Sequence, residues 1–540
     1  MAQSVEHVIG NDEVISSILI TSSKRPGTIV LGCFCFFGRQ YLQIRSDSAI
    51  IAVMILVAEE RNTLMKRQSG VLMHISSLWG EYSEGAFGKE ALEWIDFLAD
   101  CHFSVWQVLP FCLPDEFNSP YKSFGAFSIN PNFIDLDVLC AKGLLTPTDL
   151  LTAKQKTPYA CEFDRLGKER FALLSLAASR VGDKAPVEAF LASHPETAAF
   201  CLYMAIREAN GGRPWNEWET ECYDERTLFA WQFTQYEAYT QWIAIKKYAN
   251  GKGISIIGDV PIYVSYDSSD VWANKELFQL DERNAPTAVA GVPPDYFSED
   301  GQLWGNPLYD WDRMRQDNFL WWRTRMSFMT ELFDGVRIDH FRGLESYFSI
   351  PFGETTAKNG VWVKGPGMDL IRALRPICKN KLIIAEDLGD ITPEVVKLVE
   401  KSGYPGMRVL QFAFLGDENS PHLPHNYDLN CVAYTGTHDN NTLLGYVWDQ
   451  DDGIKARLME YCGYEGDWNA CYDAVLRTMF TSHARLLMLP VQDLLLFGRD
   501  TRLNTPGAAK GNWSYRITKE QLMQISRNKF LRWNQIFGRG

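Results

Sequence analysis

Short apolar runs, each closed by a polar or charged residue, recur along the chain and are separated by long amphipathic stretches. This is the pattern of parallel strands joined by helices. Eight such runs stand out, at residues 70–74, 105–109, 254–259, 335–339, 382–386, 409–412, 432–435 and 486–490. Eight is the number of strands that closes a (β/α)8 barrel, the TIM-barrel fold. An open doubly wound sheet shares the periodicity, but the positions of the carboxylates favour the barrel. In a barrel the working groups come from the C-terminal ends of several strands, and Asp259, Asp339, Glu386 and Asp439 stand at or just after such ends.

The second and third runs lie far apart. The segment between them, residues 135–248, shows helical periodicity in blocks such as RFALLSLAASRV and reads as a helical subdomain inserted in the barrel. A second insertion, 260–330, contains AGVPPDYFSEDGQLWGNPLYDW, too irregular for one helix and too apolar for a plain linker. Long ordered loops of this kind are usually functional, so it is expected to cover the mouth of the barrel after strand 3.

The first 64 residues do not share this pattern. The apolar stretch 49–58 is about half of the roughly 20 residues that a membrane-crossing helix needs, and no cleavage pattern close behind it resembles a secretory signal. The expectation is that Met65 is the native start, that residues 1–64 are a non-native or disordered extension, and that 65–540 form the catalytic domain.

Charge and composition narrow the partners. A net charge of −14 with no long Lys/Arg run argues against nucleic acid. The chain carries 17 Trp, 22 Tyr and 31 Phe, enough aromatic surface to serve both core packing and the flat C–H faces of sugar rings. The 12 Cys are scattered without paired Cys-x-x-Cys motifs, which points to reduced thiols in the cytoplasm and to no zinc site. No Gly-rich phosphate loop follows a strand, so nucleotide-dependent transfer has no support.

The carboxylates carry the chemistry. Breaking a glycosidic bond with retention needs a nucleophilic carboxylate and a protonated carboxyl group about 5 Å apart. Asp339 closes FDGVRIDHFRG, where Arg337 lies two residues earlier on the same strand face and can hold the aspartate ionised. Glu386 ends the apolar run of KLIIAEDLG, and desolvation there would raise its pKa into the range of a general acid. Asp439, in AYTGTHDNNT, is placed to hold sugar hydroxyls in the transition state, with His438 beside it. Each alone is also a plausible helix cap or ion-pair partner; the combination is what signals an enzyme.

Together GVRIDHFRG, IAEDLG and TGTHDN resemble the nucleophile, acid/base and third-carboxylate motifs of the α-amylase clan, in the form carried by the amylomaltases, glycoside hydrolase family 77. NSPYKSFGAFSINP, GDVPIYVSYDSSDVW and NTPGAAKGNWSYR resemble the same family, and the likeness spans about residues 66–517. One departure is Trp79, where the family usually has Pro, in the first strand-to-helix loop.

The resemblance implies a retaining 4-alpha-glucanotransferase that moves a piece of an α-1,4-glucan onto glucose or another malto-oligosaccharide. It implies no metal and no organic cofactor. It further implies that Tyr121, Asp259, Arg337, His340 and His438 line the subsite of the sugar being cleaved, and that Gln302, Trp304 and Asn306 belong to the covering loop. Transfer requires that an acceptor sugar stand where water would react, and Tyr296, Phe297, Trp304 and Tyr309 offer either stacking surface for it or ordinary loop anchors. An α-amylase-like hydrolase and a glucan-binding protein with a decayed site are the alternatives.

Overall fold

The computed structural model describes residues 67–540 apart from 295–297 and 509, together with the backbone of four strands nearer the N-terminus, Gln3–Val5, Ile18–Ser22, Ile29–Cys35 and Gly38–Ile44. Those four form an antiparallel sheet in chain order. The apolar stretch 49–58 and the start at Met65 lie outside the described residues.

Eight parallel strands close a barrel: β1 Gln68–Leu72, β2 Val105–Gln107, β3 Ser255–Val260, β4 Gly335–Ile338, β5 Leu382–Ala385, β6 Gly406–Val409, β7 Cys431–Tyr434 and β8 Leu486–Pro490. Each pairs with its neighbours in sequence, and β8 closes on β1 with Met488 opposite Gly70. The interior holds Val105, Ile257, Ile384, Met407, Val432 and Met488. Strand periodicity of two then sends Asp259 and Arg337 inward one layer above Ile257 and Gly335. That step, from apolar interior to charged rim within two residues, is what places the chemistry at the barrel mouth.

The sixth strand corrects the sequence expectation. It begins three residues before the apolar run 409–412 and shares only Val409 with it, the remaining Leu410–Phe412 forming a 3-10 turn. Asp387 decides this. Its carboxylate accepts from the Met407 N–H at 2.6 Å and pairs with Arg408 at 3.2 Å, which ties residues 407–408 beside the end of β5. Leu410 is buried beyond the strand end, so apolarity there reports loop packing and not strand pairing.

Between β2 and β3 run five α-helices, Leu136–Ala141, Phe163–Ser179, Ala185–Ser193, Pro195–Ala209 and Glu225–Gly251. The last starts on Asp224, whose side chain accepts from the Thr227 N–H at 3.0 Å, and its 27 residues lead straight into β3. The insertion after β3 is not a loop alone. It supplies two strands, Ala288–Val292 and Gln302–Pro307, to a four-stranded antiparallel sheet completed after β4 by Ser346–Pro351 and Val361–Lys364. Single-segment periodicity could not reveal a sheet assembled from two insertions. Among the described residues no helix is long and apolar enough to cross a membrane.

Candidate active site

Arg337 and Asp259 are register partners on neighbouring strands. The guanidinium Nη1 donates to both Asp259 oxygens, at 3.0 and 2.8 Å, and Nη2 reaches Asp339 Oδ1 at 2.9 Å. One buried cation therefore holds two carboxylates from adjacent strand ends, a geometry that needs the planar fork of arginine. Burial alone would lower the pKa of Arg337, but Asp259 and Asp339 outweigh it and hold the guanidinium charged, well above its ordinary value. The Tyr121 hydroxyl donates to Asp259 Oδ2 at 2.9 Å, completing the shell of that carboxylate.

Glu386 follows β5 directly. Its Oε2 accepts from the His340 N–H at 2.7 Å and its Oε1 from the Leu388 N–H at 2.9 Å, so both oxygens are fixed by backbone. These donors and Arg337 favour the ionised form, but burial opposes it more strongly, and with the nearby Asp339 it pushes the Glu386 pKa up to about 8. The carboxyl group is protonated at neutral pH. The His340 N–H reaches Glu386 from a left-handed backbone, φ 47° and ψ 49°, a costly conformation for a residue other than glycine and one that clusters at functional sites. The His340 ring is neutral, its pKa lowered to about 3 by burial and then by Arg342, and it meets Trp304 edge-on with centroids 4.8 Å apart.

Asp439 stands after β7, with its side chain 47% exposed to the cleft. Asn504 Nδ2 donates to its Oδ1 at 2.6 Å, His438 Nε2 lies 3.4 Å from its Oδ2, and Arg502 donates to its backbone carbonyl. The His438 ring is stacked on Tyr121 at 5.0 Å, and Trp513 packs against both rings. Burial lowers the pKa of His438 although Asp439 opposes the shift, which favours the neutral ring. The structure thus brings Tyr121, Asp259, Arg337, Asp339, His340, Glu386, His438 and Asp439 to one end of the barrel.

Asn504, Arg502 and Trp513 were given no role from the sequence. For Asn504 and Trp513 the signal was the NTPGAAKGNWSYR resemblance, and Arg502 lies just before it; nothing in their spacing connects them to Asp439, 63 or more residues earlier.

Of the covering residues, Gln302, Trp304 and Asn306 lie on the strand Gln302–Pro307. Trp304 Nε1 donates to Gln302 Oε1 at 3.1 Å. Asn306 is buried and its amide donates to the Val264 carbonyl at 2.8 Å, so it fastens the strand to the segment after β3. Tyr309 is an anchor and not a stacking platform: its ring is fully buried and its hydroxyl donates to the Ile262 carbonyl at 2.9 Å. Tyr296 and Phe297 lie outside the described residues. Trp79 is buried in the core. Among the described residues no cluster of His, Cys, Asp and Glu is arranged to hold a metal ion.

Comparison with known proteins identifies the family. A family model described as 4-alpha-glucanotransferase matches residues 73–522, a span that contains every residue of the site. A 4-alpha-glucanotransferase of Streptococcus pneumoniae is 43% identical over 479 residues, covering 85% of this chain and 95% of that one. The 4-alpha-glucanotransferase of Thermus thermophilus is 40% identical over 487 residues, covering 85% and 96%. Among solved structures, the amylomaltase from Streptococcus agalactiae in complex with acarbose matches with a TM-score of 0.85 at 36% identity, covering 88% of this chain and 100% of that chain.

Proposed function

The chain belongs to the 4-alpha-glucanotransferase family and transfers segments of α-1,4-glucans, and from that premise we propose that it does so by double displacement, with Asp339 as nucleophile and Glu386 as acid and base. In the first step the Asp339 carboxylate attacks the anomeric carbon as Glu386 gives its proton to the departing glycosidic oxygen. In the second the ionised Glu386 takes a proton from the 4-hydroxyl of the acceptor sugar, which displaces Asp339 and restores the starting state. Positive charge develops on the ring between these steps, and Asp439, together with the neutral donor His438, holds hydroxyls more tightly as it does.

The observation that carries this reading is the pairing of unlike carboxyl groups. Asp339 is ion-paired to the buried Arg337, while burial raises the pKa of Glu386 and favours its protonated form. A carboxylate held on an arginine beside a carboxyl group that desolvation keeps protonated suits a nucleophile and an acid working together. Transfer in place of hydrolysis follows if the Gln302–Pro307 strand, with Trp304 against His340, shields the intermediate from water and supports the acceptor. Malto-oligosaccharides serve as donor and acceptor, and the free cysteines among the described residues fit a cytoplasmic setting.

The direct test uses Glu386→Gln with maltotriosyl fluoride, whose leaving group needs no protonation. The first step then proceeds while the second is impaired, and mass spectrometry of the peptides is expected to show a maltotriosyl ester on Asp339. An adduct on another residue, or rapid turnover without any adduct, rejects the assignment.

A further inference from the structure

The rim of the site carries an aromatic corner that the reaction above does not use. The helix Leu443–Asp449 begins on Thr442, three residues after Asp439. Its Trp448 is 63% exposed, more than any other tryptophan among the described residues. An indole left in water forgoes the burial that this side chain normally contributes. Trp448 meets Trp468 at a right angle, with ring centroids 5.6 Å apart and planes at 89°. Lys455 lies 4.5 Å over the Trp468 ring, which occupies one face and holds that ring in place.

The corner is tied to the catalytic loop. Asn441 Nδ2 donates to Asp449 Oδ2 at 2.9 Å, and Arg499 lies 3.6 Å from Asp449 Oδ1. Arg499 opens the short segment that also supplies Arg502 to the Asp439 carbonyl and Asn504 to the Asp439 carboxylate. One segment thus braces both Asp439 and the helix that presents Trp448. Flat aromatic faces beside Asp449, Arg499 and Asn441 combine stacking surface with hydroxyl-bonding groups, the two things a glucose ring requires. The six-residue helical rise from Thr442 to Trp448 is about 9 Å, which sets the corner apart from the loop that carries Asp439.

We propose that Trp448 and Trp468 form a second glucan-binding site on the rim, which holds the distal part of a long α-1,4-glucan while its near end occupies the catalytic carboxylates. The proposal rests on the glucanotransferase reading. Its gain is one of effective concentration: a chain held at two points re-enters the cleft more readily than one held at a single point. Short oligosaccharides span only the cleft and draw no benefit from it.

The wild-type chain is first assayed on maltotriose, where longer oligosaccharides establish glucan transfer independently of the rim. Electrophoresis through gels containing amylose then compares Asp339→Asn with the double variants that add Trp448→Ala or Trp468→Ala. Each tryptophan loss is expected to weaken retardation roughly three- to tenfold, with Trp468→Phe keeping most of it. In the active background, Trp448→Ala is expected to raise the ratio of the amylose KM to the maltotriose KM by a similar factor. Unchanged retardation, or an equal rise in both KM values, overturns the proposal. So does a changed sedimentation coefficient with amylose retention intact, which would make the corner a contact between two copies of the chain.

Discussion

Arg337 shows how much one side chain decides. Its guanidinium reaches Asp259 and Asp339 at once and acts on the charge balance of Glu386, so the ionisation states of the three carboxylates are linked. Because Asp339 raises the pKa of Glu386, Asp339→Asn is expected to move the Glu386 titration to lower pH, as read by carbon-13 NMR of labelled glutamate; an unmoved titration would separate the two groups. The acid must be protonated to work, and its pKa of about 8 sets the alkaline limb of activity. The wild-type kcat/KM is therefore expected to hold up to that value and to fall about tenfold per pH unit above it. Stability follows the same proton. The folded pKa lies above the ordinary 4.5, so the burial of Glu386 costs nothing at low pH and progressively more between about 4.5 and 8. Relative to wild type, the thermal midpoint of Glu386→Gln is expected to rise as pH climbs through that window.

At the scale of single elements, the strand Gln302–Pro307 pairs with Ala288–Val292 and is fastened to the segment after β3 by the buried Asn306 amide on the Val264 carbonyl. Removing a buried partner leaves an unsatisfied carbonyl and costs about 1–3 kcal/mol, a penalty borne by the strand that carries Trp304. Asn306→Ala is expected to loosen this cover, so that glucose release from maltotriose rises several-fold relative to the formation of longer products. Chromatography of the product ladder reads both together, and an unchanged ratio would detach the strand from acceptor selection. This element was half legible. The aromatics and Pro-Gly turns marked the segment as ordered and functional, but its other strand, Ala288–Val292, pairs with Ser346–Pro351 from another insertion, and antiparallel pairing between distant segments leaves no local periodicity.

For the whole molecule, barrel closure is secured from the C-terminus. Arg539 is fully buried and donates to the carbonyls of Gln68, Phe480, Ser482 and Ala484, which flank β1 and β8 at the end of the barrel opposite the site. Burial without a facing carboxylate lowers its pKa to about 9. Arg539→Ala takes this donor from four carbonyls, of which those of Phe480 and Ser482 still accept from Arg67, and is expected to destabilise the fold by about 2–4 kcal/mol, measured by urea unfolding, while any folded fraction keeps its kcat. The seam between the first and last strands is where a closed barrel is most exposed to opening, and this contact spans it.

The barrel and the carboxylates at its mouth were readable in the chain because both are local. Strand periodicity shows within five or six residues, and a carboxylate at the end of an apolar run needs no knowledge of other segments. Motif resemblance carried the family for the same reason. Tertiary structure alone decided the rest: that β6 begins before its apolar run because Asp387 captures residues 407 and 408, that Tyr309 is sealed in the core while Trp304 faces His340, and that Asn504 and Arg502 brace Asp439. Each of these depends on which distant group a side chain meets. Composition and spacing cannot encode that, because burial and partnership are properties of the closed barrel and not of any stretch of sequence.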